Sequence, residues 1–179
     1  MTSRFVSEDP GELVQAERDV QARIGDQHID FEAMAVISNI YRAANVVRNH
    51  MEQQVLADYD LSWGAFTVLF VLWIWGEQET RHLAAEAGVT KGTLTGVLKT
   101  LEGRGYVQRH PHRADRRLVV VRLLPSGRHA IEDLFPRFNE QEVFASSRLS
   151  KEDRRRLAGL LRVVIRTVGG PGAAPETRR

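Results

Sequence analysis

The chain has no cysteine among its 179 residues. That excludes disulfides, thiolate nucleophiles and cysteine metal sites, and it fits a reducing compartment. Aromatic residues are scarce at 7%, so a core has to be mostly aliphatic. Long apolar runs are missing too. The most apolar stretch, Phe66 to Trp75, is about half the length that a membrane-spanning helix needs. The opening MTSRFVSEDPGE carries acids and no apolar segment, unlike a secretory signal. A cytoplasmic protein with no membrane partner is expected. Net charge is small, +2, and by itself points to no partner.

What is present is an uneven distribution of that charge. From Arg81 to Arg128 the chain holds ten Lys or Arg against three acids (Glu86, Glu102 and Asp115), a net of +7, while the remainder nets −5. A basic middle between acidic flanks is the footprint of one module that faces a polyanion.

Periodicity and capping residues outline a mainly α chain with one small β-hairpin, an α+β class. Asp9-Pro10-Gly11-Glu12 reads as the start of a short helix that Gly25 ends. Asp30 opens a long one-sided helix through Phe31, Met34, Ile37, Tyr41, Met51 and Val55. After a turn at Asp58-Tyr59-Asp60, Ser62 caps a helix with the bulky stripe Trp63, Phe66, Phe70 and Trp73, which Gly76 stops. Two short helices follow, the first capped by Thr80 and the second by Thr90, with Gly88 in the left-handed conformation of the turn between them. Tyr106–His112 and Leu118–Leu124 form a hairpin around Arg113-Ala114-Asp115-Arg116. The next helix holds Phe135, and Pro136 is expected to bend or interrupt it. Ser150 with Asp153 makes a capping box for a last helix whose apolar stripe runs Leu157, Leu160, Leu161, Val164 and Val168. The expected division is 1–29 as an N-terminal extension, 30–61 as a dimerisation helix and 62–124 as a winged helix-turn-helix lobe. Residues 125–168 supply C-terminal dimerisation helices, and 169–179 a disordered tail.

The order helix, glycine turn, capped helix and arginine-tipped hairpin carries the functional reading. A major groove admits one helix, and the phosphates beside it require cations or amide donors. The helix from Thr90 exposes Thr90, Lys91, Thr93, Thr95, Lys99 and Thr100, and its N-terminal amides point outward. Arg113, Arg116 and Arg117 at the hairpin tip have slender, weakly hydrated heads that suit a minor groove. The bland alternative is a solvated basic face on an ordinary helical pair.

These segments resemble the MarR family of bacterial regulators. The resemblance rests on Val89-Thr90-Lys91-Gly92-Thr93-Leu94-Thr95, on the junction from Leu101 to Val107, and on Ala114-Asp115-Arg116-Arg117 followed by Leu123 to Arg128, and it extends over Phe31 to Val168. It implies a triangular homodimer in which the terminal helices interlock and two winged lobes reach successive grooves of a pseudo-palindromic operator on double-stranded DNA. It implies that Asp115 pairs with an arginine to stiffen the wing, while Arg116 or Arg117 enters the minor groove. Gly92 and Gly96 depart from the family pattern in the reading helix; many relatives carry a larger polar residue at the position of Gly96. Leu124 stands where relatives often have a threonine cap, so Ser126 is expected to cap instead.

The resemblance also implies a small-molecule effector held where the dimer helices meet the lobe. Trp63, Phe66, Phe70, Trp73 and Phe135, with Tyr41, Arg42 and His50, are the candidate lining. Aromatic walls with a cation suit a planar aromatic acid or its thioester, and the competing reading of the stripe is plain core. Relatives that sense peroxide use a cysteine, absent here. His110 and His112 share a strand face but are expected to face solvent or phosphate, so no metal and no cofactor is assigned. No nucleophile elbow, phosphate-cradling loop or paired acid is present, so the chain is not expected to be an enzyme. The expected function is a ligand-released transcriptional repressor; the alternative is a winged-helix protein-interaction scaffold without DNA binding.

Overall fold

A computed structural model describes residues 10–25, 28–112, 114, 115 and 117–170. The chain divides into two compact units, Met1–Phe138 and Asn139–Arg179. The elements in order are α1 (Pro10–Ile24), α2 (Phe31–Gln54), a 3-10 turn (Leu56–Tyr59), α3 (Trp63–Trp75), β1 (Gln78–Glu79), α4 (Thr80–Glu86), α5 (Lys91–Gly103), β2 (Val107–Pro111), β3 (Val119–Leu123), α6 (Pro125–Ala145) and α7 (Lys151–Gly169).

The core belongs to the first unit and centres on α3. That helix, WGAFTVLFVLWIW, is apolar on every side, the composition of a helix surrounded by other elements. Ala65, Phe66, Val68, Leu69, Val71 and Leu72 are buried along it. Met51 and Val55 from the end of α2, Leu83 from α4, Leu94, Leu98 and Leu101 from α5, Val107 and Val121 from the sheet, and Ile131, Leu134 and Phe138 from α6 complete one cluster. Ser62 caps α3 by accepting from the Ala65 amide, and Gly76 closes it at φ +74°.

The sheet has three antiparallel strands in the order β1-β3-β2. β1, which the sequence pattern did not reveal, pairs Gln78 with Val121 and Glu79 with Val120. The expected hairpin is there, with His110 opposite Val120 and Val107 opposite Leu123. Because Glu79 is held in the sheet with extended backbone, it becomes the N-cap of α4, and Thr80 is the first helical residue rather than the cap. Ser126 does not cap α6 either. It lies inside the first turn and its hydroxyl donates to the Gly105 carbonyl, tying α6 to the α5–β2 junction. α6 is one helix through Pro136, so the proline does not interrupt it.

In the second unit, Ser150 caps α7 by accepting from the Asp153 amide at 3.1 Å. The Ser150 hydroxyl also donates to Asp153 Oδ2 at 2.6 Å, so the two residues pair through their side chains. Among the described residues no helix is long and apolar enough to cross a membrane.

Candidate nucleic-acid interface

The turn between α4 and α5 is built on Gly88 at φ +62°, a left-handed conformation that suits glycine. Its neighbour Val89 is drawn in by a bond from its amide to the Ala84 carbonyl, 3.0 Å. Thr90 then caps α5: its Oγ1 accepts from the Thr93 amide at 3.1 Å and lies 2.9 Å from Thr93 Oγ1. Leu94, Leu98 and Leu101 anchor the inner face. The outer face presents Thr90, Lys91, Thr93, Thr95 and Lys99, all exposed. Thr95 and Thr100 donate their hydroxyls back to the Lys91 and Gly96 carbonyls, which leaves their lone pairs turned outward as acceptors. A side chain at Gly96 would meet no heavy atom within 4 Å. The middle of the reading face is open.

At the hairpin tip, Asp115 Oδ1 accepts from the Arg117 amide at 3.0 Å and its carbonyl accepts from the Leu118 amide at 3.0 Å. His112 Nδ1 accepts from the amides of Ala114 and Asp115, 3.2 and 3.3 Å away. The acid thus organises the turn through backbone donors. Arg117 is exposed; Arg113 and Arg116 lie outside the described residues. His110 Nε2 lies 3.3 Å from Glu77 Oε2 without the geometry of a hydrogen bond. Among the described residues no group of three or more His, Asp or Glu is placed to hold a metal.

The structure sorts the basic stretch in a way that counting does not. Arg81 donates to Glu79 at 2.8 Å, Arg104 to the Tyr59 carbonyl at 2.8 Å and to Asp60, and Arg122 to Gln108 Oε1 at 2.6 and 3.1 Å. Arg109 donates to Glu102, and Arg128 to Glu132 at 3.5 Å. The Arg109 guanidinium holds the Glu102 carboxyl below the usual carboxylate range, and the carboxylate in turn raises Arg109. Lys91, Lys99 and Arg117 make no side-chain bond or ion pair among the described residues. Those three sit on the outer face of α5 and on the wing, where a duplex backbone would pass.

A second set of contacts seats this module. Tyr59 donates to Asp133 Oδ2 at 2.7 Å, which raises the phenol above its ordinary value. Arg137 donates to Asp58 at 2.6 Å. The 3-10 turn is therefore fixed to α6 on one side and, through Arg104, to the end of α5 on the other. None of this was legible in the sequence, because the partners are far apart along the chain.

The candidate effector residues separate into groups. Phe66 stacks on Phe138 with centroids 4.1 Å apart, Phe70 on Phe135 at 5.4 Å, and Trp73 lies 5.4 Å from Phe135 and donates to Glu132 at 3.3 Å. Trp63 is 6.0 Å from both Phe66 and Phe138. These six form one aromatic layer between α3 and α6, with Phe66 and Phe138 buried and the others half-buried. On α2, Tyr41 is 69% exposed and His50 half-buried. Arg42 donates to Asn39 and sits 3.7 Å from Glu17, beside a cavity of about 470 Å³ between α1 and α2 that Phe31, Met34 and Ser38 also line.

Comparison with known proteins agrees with this architecture. The model of the MarR family matches residues 61–119, the span from the start of α3 to the start of β3. The uncharacterized HTH-type transcriptional regulator YwaE of Bacillus subtilis (strain 168) is 40% identical over 138 residues, covering 77% of this chain and 81% of that protein. Bordetella bronchiseptica BpsR, solved for the regulation of its DNA binding by 6-hydroxynicotinic acid, superposes with a TM-score of 0.67 at 26% identity, over 72% of this chain and 97% of that one. Sco3205, a MarR family transcriptional regulator from Streptomyces coelicolor in complex with DNA, superposes with a TM-score of 0.73 at 21% identity, over 84% and 96% of the two chains. Fold, element order and relatives converge: the chain belongs to the MarR family of HTH-type transcriptional regulators and is not an enzyme.

Proposed function

We propose that this regulator is a homodimeric repressor that grips a pseudo-palindromic operator and is released by a small aromatic acid or acyl thioester. The observation that carries the DNA contact is that Lys91, Lys99 and Arg117 have no side-chain partner among the described residues, while the other described arginines from Arg81 to Arg128 are tied to partners within the chain. Thr90, Lys91, Thr93, Thr95 and Lys99 enter the major groove. Arg113, Arg116 and Arg117, on a tip organised by Asp115, reach the flanking minor groove. With few cations free, the salt dependence per lobe is moderate, about one unit of slope per phosphate met.

Dimerisation is supported by apolar side chains left without cover. Leu160 and Val168 of α7 are 56% and 72% exposed, and Val36, Ile37 and Val46 of α2 are exposed as well. Contiguous exposed apolar faces of this kind mark interfaces. The groove between α1 and α2 is a further surface for the partner subunit, which would make residues 10–24 part of the dimer. For the effector, the half-buried edge of the aromatic layer, Trp63, Phe70, Trp73 and Phe135, offers stacking surface, and the 6-hydroxynicotinic acid named for BpsR belongs to the same ligand class. Arg42 and His50 on α2 would supply the polar end, with Tyr41 and the buried Phe66 completing the lining.

The test is fluorescence anisotropy of the full chain on duplex DNA from upstream of its own gene, across a salt series, followed by titration with aromatic acids. Retention that weakens linearly in log salt and is reversed by one of the acids is expected. No retention at low salt would favour the protein-interaction scaffold instead.

A further inference from the structure

The wing joins the reading helix through three residues, Arg104-Gly105-Tyr106, with Gly105 at φ +69° and no heavy atom within 4 Å of where its Cβ would stand. The link itself is held by the Tyr106 amide donating to the Leu101 carbonyl and by the Ser126 hydroxyl donating to the Gly105 carbonyl; the strand beyond Val107 needs its own contact with α5. β2 is also the edge of the sheet, in the order β1-β3-β2, so one side of its backbone has no strand to bond. Glu102, near the end of α5, covers that edge. Its Oε1 accepts from the Arg109 amide at 3.0 Å, and its Oε2 accepts from Arg109 Nε at 2.9 Å and from Nη2. One carboxylate thus holds both the backbone and the side chain of a wing residue, and the pair is only partly open to water, 28% and 37% exposed.

We propose that Glu102 and Arg109 are positioning residues that set the angle between the reading helix and the wing, and with it the operator specificity. In this role Arg109 is not a phosphate ligand, although it lies in the basic stretch. The proposal rests on the DNA-binding reading above and adds what fixes the spacing of its two contacts. Arg109 lies two residues before the end of β2 at Pro111, roughly 7 Å of extended chain, so a swing of about 10° at the clamp moves the strand end by about 1 Å, already more than the spread of hydrogen-bond lengths. Losing the clamp therefore costs register between major-groove and minor-groove contacts and leaves the number of cations facing phosphate unchanged.

The absence of cysteine gives a clean test without DNA. Spin labels on Thr100→Cys and Ala114→Cys in the full chain report the helix-to-wing distance. The expected result is a narrow distribution in the otherwise unaltered chain, a distribution broadened by a few ångströms in E102Q and R109Q, and recovery in the swapped pair E102R with R109E. In parallel, each single variant is expected to lower the ratio of operator to random-duplex affinity about tenfold, the scale of coupling between contacting residues, with an unchanged slope against log salt. The proposal is overturned if the distance distributions of the single variants match the parent. It is equally overturned if R109Q reduces the salt slope by about one unit while E102Q binds normally, the signature of a phosphate ligand. Failure of the parent chain to retain operator would sink the DNA reading while the label distances still decide the clamp.

Discussion

Gly127→Ala is the perturbation whose cost the structure sets most sharply. Gly127 is buried in the first turn of α6, and a Cβ there would stand 2.2 Å from the Tyr106 carbonyl oxygen, 2.9 Å from its carbon and 3.0 Å from Leu123 Cδ1. Ordinary contact begins near 3.4 Å, so α6 or the α5–β2 junction has to move by about 1.2 Å against backbone that neither side can fold away. Overpacking of this kind costs about 1–3 kcal/mol. The same movement strains the bonds from the Leu124 amide to Tyr106 O and from Ser126 to Gly105 O, each contributing about 1 kcal/mol. Alanine returns at most about 1 kcal/mol of helix propensity. The net expectation is a loss of roughly 2–4 kcal/mol, which for a chain of this size lowers Tm by about 5–15 °C. Thermal unfolding at one fixed protein concentration measures it, since dimer dissociation would otherwise shift the midpoint. Gly103→Ala, where nothing lies within 4 Å, is the control and should be neutral or stabilising. A Gly127→Ala chain within about 0.5 kcal/mol of the parent would refute the reasoning about this contact.

Other perturbations separate stability from recognition. Gly96→Ala points into open space, so it should raise stability by up to about 1 kcal/mol while lowering operator affinity, because the glycine lets the backbone approach the groove; calorimetry paired with anisotropy reads both, and a gain in both would count against that approach. The Glu102 carboxyl is held below its ordinary 4.5 by Arg109, so the clamp stabilises above about pH 4.5 and its contribution is lost as pH falls through the depressed value. The stability difference between the parent and E102Q should thus be about 0.5–1 kcal/mol near neutrality, given the partial exposure of the pair, and should vanish in acid; a difference independent of pH would contradict it. Deleting residues 157–179 should abolish the dimer and DNA retention together in light scattering and gel shift, and a folded dimer recovered from that truncation would remove α7 from the interface.

The sequence made some parts of the structure legible and hid others for physical reasons. Caps are local, so Asp30, Ser62, Thr90 and Ser150 were readable from their own neighbours, as was Gly88 in its turn. The aromatic stripe of α3 was readable as bulky, but only the structure shows that Phe135 and Phe138 of α6 close over it. β1 was invisible because two polar residues acquire strand geometry only from the free side of β3. That same pairing moved the start of α4 back by one residue, onto Thr80. Ser126 looked like a cap because its type suits one, yet the nearby Gly105 carbonyl claims its hydroxyl. The basic stretch was legible as charge and illegible as contacts: Asp60 lies 44 residues from Arg104, and no local pattern announces that pairing. Counting cations therefore overstates how many are free to meet a phosphate.

The central claim is that the outer face of α5 and the wing arginines together hold a nucleic acid backbone. The measurement that tests it most directly is the operator affinity of the R116A/R117A double variant, taken alongside its circular dichroism and its mass by light scattering. A severe loss of affinity, with helix content and dimer mass unchanged, is the predicted result. Affinity within about twofold of the parent would contradict the claim and leave the wing without its role.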